Sequence, residues 1–156
     1  MRFAVVRALF NAEITAALLA GALRGFHEAR VPARNVATYE VPGAFELPLA
    51  ALWLAQTKRY DAIVCLGCVI RGQTPHFYYV AAEAARGVSE VSRSTGVPVI
   101  FGVLTTINER QARARASSVA RGTSSHTKAR ARGNKGYEAA QSAIAMAALR
   151  RRIKAG

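Results

Sequence analysis

Carboxylates are in short supply along this chain: 156 residues include 9 Asp and Glu against 22 Lys and Arg, leaving a formal charge of +13 at pH 7. Such an imbalance makes phosphorylated substrates, nucleic acid and anionic membranes the partner classes to weigh, without choosing among them. Charged residues make up only 20% and apolar ones 51%, a balance that excludes intrinsic disorder. No apolar run reaches the ~18 residues that a membrane span requires, so a globular, soluble chain with no membrane partner is expected. Nothing at Met1-Arg2-Phe3 looks like a signal peptide, because a predicted strand begins at once, and the cytoplasm is the expected compartment. A chain of 156 residues has room for one domain, 1–156, and too little sequence for two.

Cysteine is scarcer still. The 2 cysteines lie in Val64-Cys65-Leu66-Gly67-Cys68-Val69, an apolar stretch that reads as a buried strand. Their spacing invites redox or zinc chemistry, but a strand interior cannot aim both thiols at one metal, and no second ligand pair exists. Both are expected to be small buried hydrophobes, and no metal site is expected.

What the sequence does carry is an alternation of strand and helix signals. Phe3-Ala4-Val5-Val6 is a short apolar run. Asn11 then stands as a possible N-cap before Ile14, Leu18, Ala22 and Phe26, which share one helix face. A strand at about Val36–Val41 ends in Pro42-Gly43, and a helical pattern resumes from Glu46 to Leu54, with Pro48 tolerable in a first turn. The run Ala62–Ile70 is apolar on both faces, as in the middle of a covered parallel sheet. A helix from His76 to about Ser94 follows, with Val80, Ala84, Val88 and Val91 on one side, then a strand at Val99–Leu104. The order predicts an α/β protein with a parallel sheet and helices on both faces, its ligand beyond the carboxyl ends of the strands.

Four segments meet at those ends: Phe10-Asn11, Pro42 to Glu46, Arg71 to His76, and Thr105-Thr106. The turn Gly72-Gln73-Thr74-Pro75-His76 feeds a helix N-terminus, whose free N–H groups suit a phosphate and would set an imidazole beside it; a surface cap with an incidental histidine fits the spacing equally well. His27 and His126 lack such a context and are expected to be solvated or structural. From Asn108 to Gly133 the chain turns basic, with Arg110, Arg113, Arg115, Arg121, Lys128, Arg130 and Arg132 and no acid after Glu109 until Glu138. A helix is expected at about Asn108–Ala116, and another from Lys135 to about Arg152 with Tyr137, Ala140, Ile144 and Leu149 available for packing.

Five motifs occur in one order: Phe10-Asn11-x-x-Ile14-Thr15; Val41-Pro42-Gly43-Ala44-Phe45-Glu46-Leu47-Pro48; Gly67-x-Val69-Ile70-Arg71-Gly72-x-Thr74-x-His76-Phe77-x-Tyr79-Val80; Val97-Pro98 through Thr105-Thr106; and Gly133-Asn134-Lys135-Gly136-x-Glu138-Ala139-Ala140. Together they resemble the 6,7-dimethyl-8-ribityllumazine synthases of riboflavin biosynthesis. The resemblance implies a flavodoxin-like, three-layer α/β/α fold with a four-stranded parallel sheet, and a homo-oligomer, a pentamer with active sites between subunits. It also implies a reaction without metal or organic cofactor on two small molecules, one ribityl-bearing and one phosphorylated: 5-amino-6-ribitylaminouracil condenses with 3,4-dihydroxy-2-butanone 4-phosphate.

The resemblance also assigns roles. Phe10 would stack on the pyrimidine, the alternative being a Phe that caps the core. Ala44, Phe45 and Glu46 would meet the ribityl chain and ring edge, although an acid at Glu46 is also what a helix start favours. Val69 and Ile70 would offer backbone groups, Gln73, Thr74 and Arg115 would hold the phosphate, and His76 would shuttle protons. Lys135 and Glu138 would stand near the site, with Phe101 entering from an adjacent subunit.

The chain departs from the pattern at Leu9, often arginine, at Tyr78, usually acidic, and in an atypical basic insertion at about 117–132. The insertion, and a start almost at the first strand, favour a pentamer or a pair of pentamers over a shell. The departures leave an alternative open: a weak or inactive pentameric scaffold, redesigned as a cage component with a designed partner subunit and a basic surface. Charge alone would allow non-specific, salt-sensitive nucleic-acid binding.

Overall fold

The structure, a computed structural model, describes residues 1–117 and 133–156. The sequence expectations for His126 and for the basic block from 118 to 132 lie outside the described residues. Strands β1 (Phe3–Ala8), β2 (Val36–Val41), β3 (Ala62–Ile70) and β4 (Val99–Thr106) form one parallel sheet in the order β2-β1-β3-β4. Helices α1 (Ala12–Glu28), α2 (Leu47–Gln56) and α3 (His76–Thr95) make the crossovers, and α4 (Glu109–Ala116) and α5 (Lys135–Ala155) follow the last strand. This is the α/β parallel sheet with helices on both faces that the alternation of patterns predicts, and the three-layer, flavodoxin-like fold with four strands that the resemblance implies.

The two faces of the sheet are covered by different helices. Phe3, Val5, Val64 and Leu66 pack with Leu18 and Phe26 of α1, Ala112 of α4 and Ala140 and Ala143 of α5. Val6, Ile63, Cys65 and Val103 pack on the other side with Leu47 and Ala51 of α2 and Ala84 and Val88 of α3. Being covered on both sides, β3 is buried from Ala62 to Cys68, which is why its sequence shows no alternation. Cys65 and Cys68 are three positions apart and therefore fall on opposite faces, each in a separate core. Burial pushes the Cys65 thiol up to about 12, and burial followed by the Glu109 carboxylate pushes Cys68 up to about 11. Both remain protonated and unreactive at neutral pH.

Helix α5 differs from its sequence expectation. Its buried residues are Gly136, Ala139, Ala140, Ala143 and Ala147, while Ile144 packs at the margin and Leu149 is exposed. Tyr137, half-buried, packs its ring against Gly25 of α1 as expected and donates its hydroxyl to Glu28 at 2.8 Å. Small side chains win here because α1 and α5 approach backbone to backbone. A Cβ on Gly136 would sit 1.9 Å from the Leu18 carbonyl, and one on Gly21 would lie 2.0 Å from Asn134 Oδ1. Asn134 is 1% exposed and caps α5, its Oδ1 accepting from the N–H of Gly136 at 2.9 Å and of Tyr137 at 3.2 Å. Its Nδ2 donates to the carbonyls of Ala17 in α1, at 3.0 Å, and of Ala116 at the end of α4. One buried amide thus fixes three helices with its full hydrogen-bonding capacity.

Replacing Asn134 by alanine leaves buried groups on all three helices without partners; a loss of about 3 kcal/mol is expected, read from the urea midpoint. Folded protein should show no rapid reaction with a disulfide reagent at pH 8, and two thiols after denaturation. A fast-reacting thiol in the native state would contradict the burial of both.

Candidate active site

Three of the four segments expected beyond the strand ends surround one cavity of about 650 Å³. After β1 the chain is held against β2, with Leu9 N–H donating to Val41 at 2.8 Å and Phe10 N–H to Pro42 at 3.0 Å. Asn11 then adopts a left-handed conformation, φ 58°. It occupies the capping position of α1, as expected, but its side chain does not cap; Nδ2 reaches across to the Cys68 carbonyl of β3 at 2.8 Å. Below the turn the Arg7 guanidinium joins Glu40 of β2, the Ala12 carbonyl and Thr15 of α1. So anchored, Phe10 projects its ring into the cavity mouth, 73% exposed. A core-capping role for Phe10 is excluded.

The second wall is Pro42–Glu46, where a short 3-10 turn over Ala44–Glu46 leads into α2. Ala44 is buried beneath the turn and Phe45 is exposed on it. Gly43 allows the Glu46 carboxylate to fold back, since a Cβ there would meet Oε2 at 3.1 Å. Among the described residues, Glu46 is the one carboxylate without an ion pair or hydrogen bond, and it lines the cavity. An acceptor so placed is available to hydroxyl groups of a ligand.

The third wall comes from the end of β3 and the start of α3. Val69 and Ile70 complete the floor, and Arg71 N–H donates to Thr106 at 2.8 Å, tying the turn to β4. Thr74 and His76 face the cavity; Gln73 is exposed in the same turn but does not line it. Among the described residues no side chain caps α3; the Tyr78 N–H donates to the Pro75 carbonyl at 3.0 Å, which leaves the N–H groups of His76 and Phe77 for an anion, with the exposed His76 side chain at the helix start. Tyr79 and Val80, one turn further on, close the apolar side of the cavity. Both belong to the motif that carries the family resemblance, although neither is among the expected site residues.

The remaining candidates lie elsewhere. Phe101, Arg115, Lys135 and Glu138 line a separate depression of about 330 Å³ along β4, and no residue is common to both. The strand ends expected on one rim thus line two separate hollows, Thr105 at the end of β4 falling in the second. The reason is the strand order, which leaves β4 at the edge of the sheet with one flank unpaired. In this depression Lys135 Nζ is 2.6 Å from Glu138 Oε2, and Arg115 Nη1 donates to the Gln111 carbonyl at 3.4 Å. Helix α4, which carries Arg115, is capped by Asn108 Oδ1 accepting from Gln111 N–H at 2.9 Å. Ser142 also lines the depression, a position that the sequence does not single out. Among the described residues no three His, Cys, Asp or Glu side chains converge to hold a metal.

A family model described as 6,7-dimethyl-8-ribityllumazine synthase matches residues 1–151. A protein of Syntrophus aciditrophicus (strain SB) named 6,7-dimethyl-8-ribityllumazine synthase is 46% identical over 153 residues, covering 98% of this chain and 92% of its own length.

Asn11 fixes the aromatic platform by two means, a left-handed backbone and one long-range hydrogen bond. Asn11→Gly loses the bond but adopts the left-handed conformation freely and should cost about 1 kcal/mol in urea denaturation, whereas Asn11→Ala loses the bond and also the tolerance of φ 58° that asparagine has over alanine, and should cost about 2 kcal/mol or more. Equal losses in the two variants would mean that the backbone conformation carries no strain.

Proposed function

The chain belongs to the 6,7-dimethyl-8-ribityllumazine synthase family, transferases of riboflavin biosynthesis, and we propose that its reaction chamber forms between neighbouring copies, the cavity of one facing the β4 depression of the next. The reaction condenses 5-amino-6-ribitylaminouracil with 3,4-dihydroxy-2-butanone 4-phosphate to 6,7-dimethyl-8-ribityllumazine. The observation that carries the proposed assembly is the division of the site: the aromatic platform, free carboxylate and imidazole line one hollow, and the guanidinium and ammonium line another. Two different surfaces that complement one another head to tail build a ring when the rotation closes, and the family resemblance supports reading that ring as a pentamer. Exposed Leu49, Trp53 and Tyr79 on α2 and α3 add an apolar surface that association would cover.

In this chamber the pyrimidine stacks on Phe10, with the ribityl hydroxyls donating to Glu46 and the ring edge meeting Ala44, Phe45 and the backbone of Val69 and Ile70. The phosphate of the second substrate lies at the start of α3, held by Gln73 and Thr74 and by Arg115 of the neighbour, whose planar guanidinium suits a leaving phosphate. Imine formation, phosphate elimination and ring closure each move protons, and His76 stands where those protons are exchanged. The neighbour's Phe101 covers the heterocycle, while its Lys135 and Glu138, paired with each other, keep a cation and an anion beside the phosphate without adding net charge. Two free cysteines suit a reducing compartment, and we read the chain as cytoplasmic.

The inactive-scaffold reading is not favoured, since the family match spans residues 1–151. The nucleic-acid reading rests on charge alone, and the designed-partner reading on the basic insertion, of which 118–132 lie outside the described residues.

Mixing tests the shared chamber. His76→Ala and Arg115→Ala each remove one half-site, so each alone should lose most lumazine formation. Unfolded together and reassembled, a random mixture should have about a quarter of its chambers built from two intact halves, and activity should rise accordingly. Mixtures that give only the sum of the parents would show that both halves serve within one chain.

A further inference from the structure

Helix α4 must aim Arg115, yet its apolar hold on the protein is slight. The helix has eight residues and buries only Ala112 and Ala116. Two alanine methyl groups offer little area to oppose rotation about the helix axis. Its ends are fixed by polar contacts: Asn108 caps the start, Gln111 Oε1 accepts from Ile107 N–H at 3.3 Å, and the Ala116 carbonyl accepts from Asn134. Between the ends, only Arg113 ties a side chain of α4 to another element among the described residues. Its Nη2 lies 2.8 Å from Glu13 Oε2, in the first turn of α1, and 2.6 Å from Glu109 Oε1 on α4 itself.

The angular arithmetic gives this contact leverage. Residues two apart on an α-helix point about 200° away from each other. Arg113 therefore reaches toward α1 while Arg115 faces the β4 depression on nearly the opposite side. The rotation that lets Arg113 meet Glu13 is the same rotation that sends Arg115 into the depression. Glu13 stands two residues after Asn11, so the bridge begins on the element that anchors Phe10.

We propose that Arg113 is a positioning residue for the reaction, holding α4 to α1 so that Arg115 is presented to the phosphorylated substrate. The inference rests on the reading of Arg115 as the phosphate arginine. Arg113 touches no substrate and acts through helix orientation. Because both partners are solvent-exposed, the pair adds little to stability, and its effect belongs in substrate binding.

The experiment is steady-state kinetics on the assembled enzyme with each substrate varied in turn. Arg113→Ala should raise KM for the butanone phosphate about three- to tenfold, leaving KM for the pyrimidine and the thermal midpoint unchanged. Arg113→Lys should restore part of the loss, and Glu13→Gln should reproduce it. In 1 M salt, where the screening length falls to about 3 Å, wild type and Arg113→Ala should converge. Arg115→Ala separates the two claims. If it raises KM for the phosphate substrate and Arg113→Ala does not, the positioning role is wrong and the phosphate role stands. If Arg115→Ala leaves that KM unchanged, the phosphate role fails and the positioning role falls with it. Equal rises in KM for both substrates in Arg113→Ala, or a lowered thermal midpoint, would mark a general structural role and overturn the proposal.

Discussion

The arrangement of the β4 depression depends on one buried primary amide. Asn134 uses two donors and a doubly accepting oxygen to bind α1, α4 and α5 at once. A carboxylate could not donate to the two carbonyls, and a longer amide would not fit where the backbones already meet. The glycines opposite are consequences of this geometry: Gly21 leaves room for Oδ1, and Gly136 lets α5 lie against the Leu18 carbonyl. Because Asn134 joins the end of α4 to the start of α5, it also brings Arg115, Lys135 and Glu138 to one depression. Ala116 and Asn134 are joined directly, whatever path the intervening chain takes.

Much of the architecture is legible in hydrophobic periodicity. The bounds of β3 and the buried face of α1, Ile14 through Phe26, follow from apolar spacing because burial on two faces or one leaves a distinct pattern. Helix α5 is harder to read, because alanine and glycine make its contact and carry almost no hydrophobic signal against the larger Ile144 and Leu149. The residues surrounding the cavity were legible as chain segments at strand ends, since a parallel sheet puts those ends on one side. Their division into two hollows was not, because pattern alone does not say that β4 lies at an edge. Nor does it show that Asn11 and Asn134, both placed ahead of helices, differ: one reaches across to β3, and the other truly caps.

Scarcity of acid gives the few carboxylates defined positions. Eight of the nine are engaged: Glu13 and Glu109 with Arg113, Glu40 with Arg7, Asp61 with Arg151, Glu83 and Glu90 with Arg86, Glu138 with Lys135, and Glu28 with a tyrosine hydroxyl. Glu46 remains, at the start of α2 and open to the cavity. In a chain of charge +13, a carboxylate with no ion pair or hydrogen bond among the described residues is a local exception, and its oxygens are open to the cavity. The excess positive charge provides attraction at long range, while selectivity rests on a small number of positioned groups.

The outer flank of β4 has a further consequence. An edge strand offers a row of backbone donors and acceptors to any other extended chain, a hazard during synthesis and at high concentration. Here Arg115, Lys135 and Glu138 stand along that flank beside Phe101 and Thr105. A stray strand docking on β4 would have to displace or desolvate these charges. Charges on this flank therefore disfavour such docking, and substitutions that replace them with apolar side chains would make the edge a better template for a stray strand.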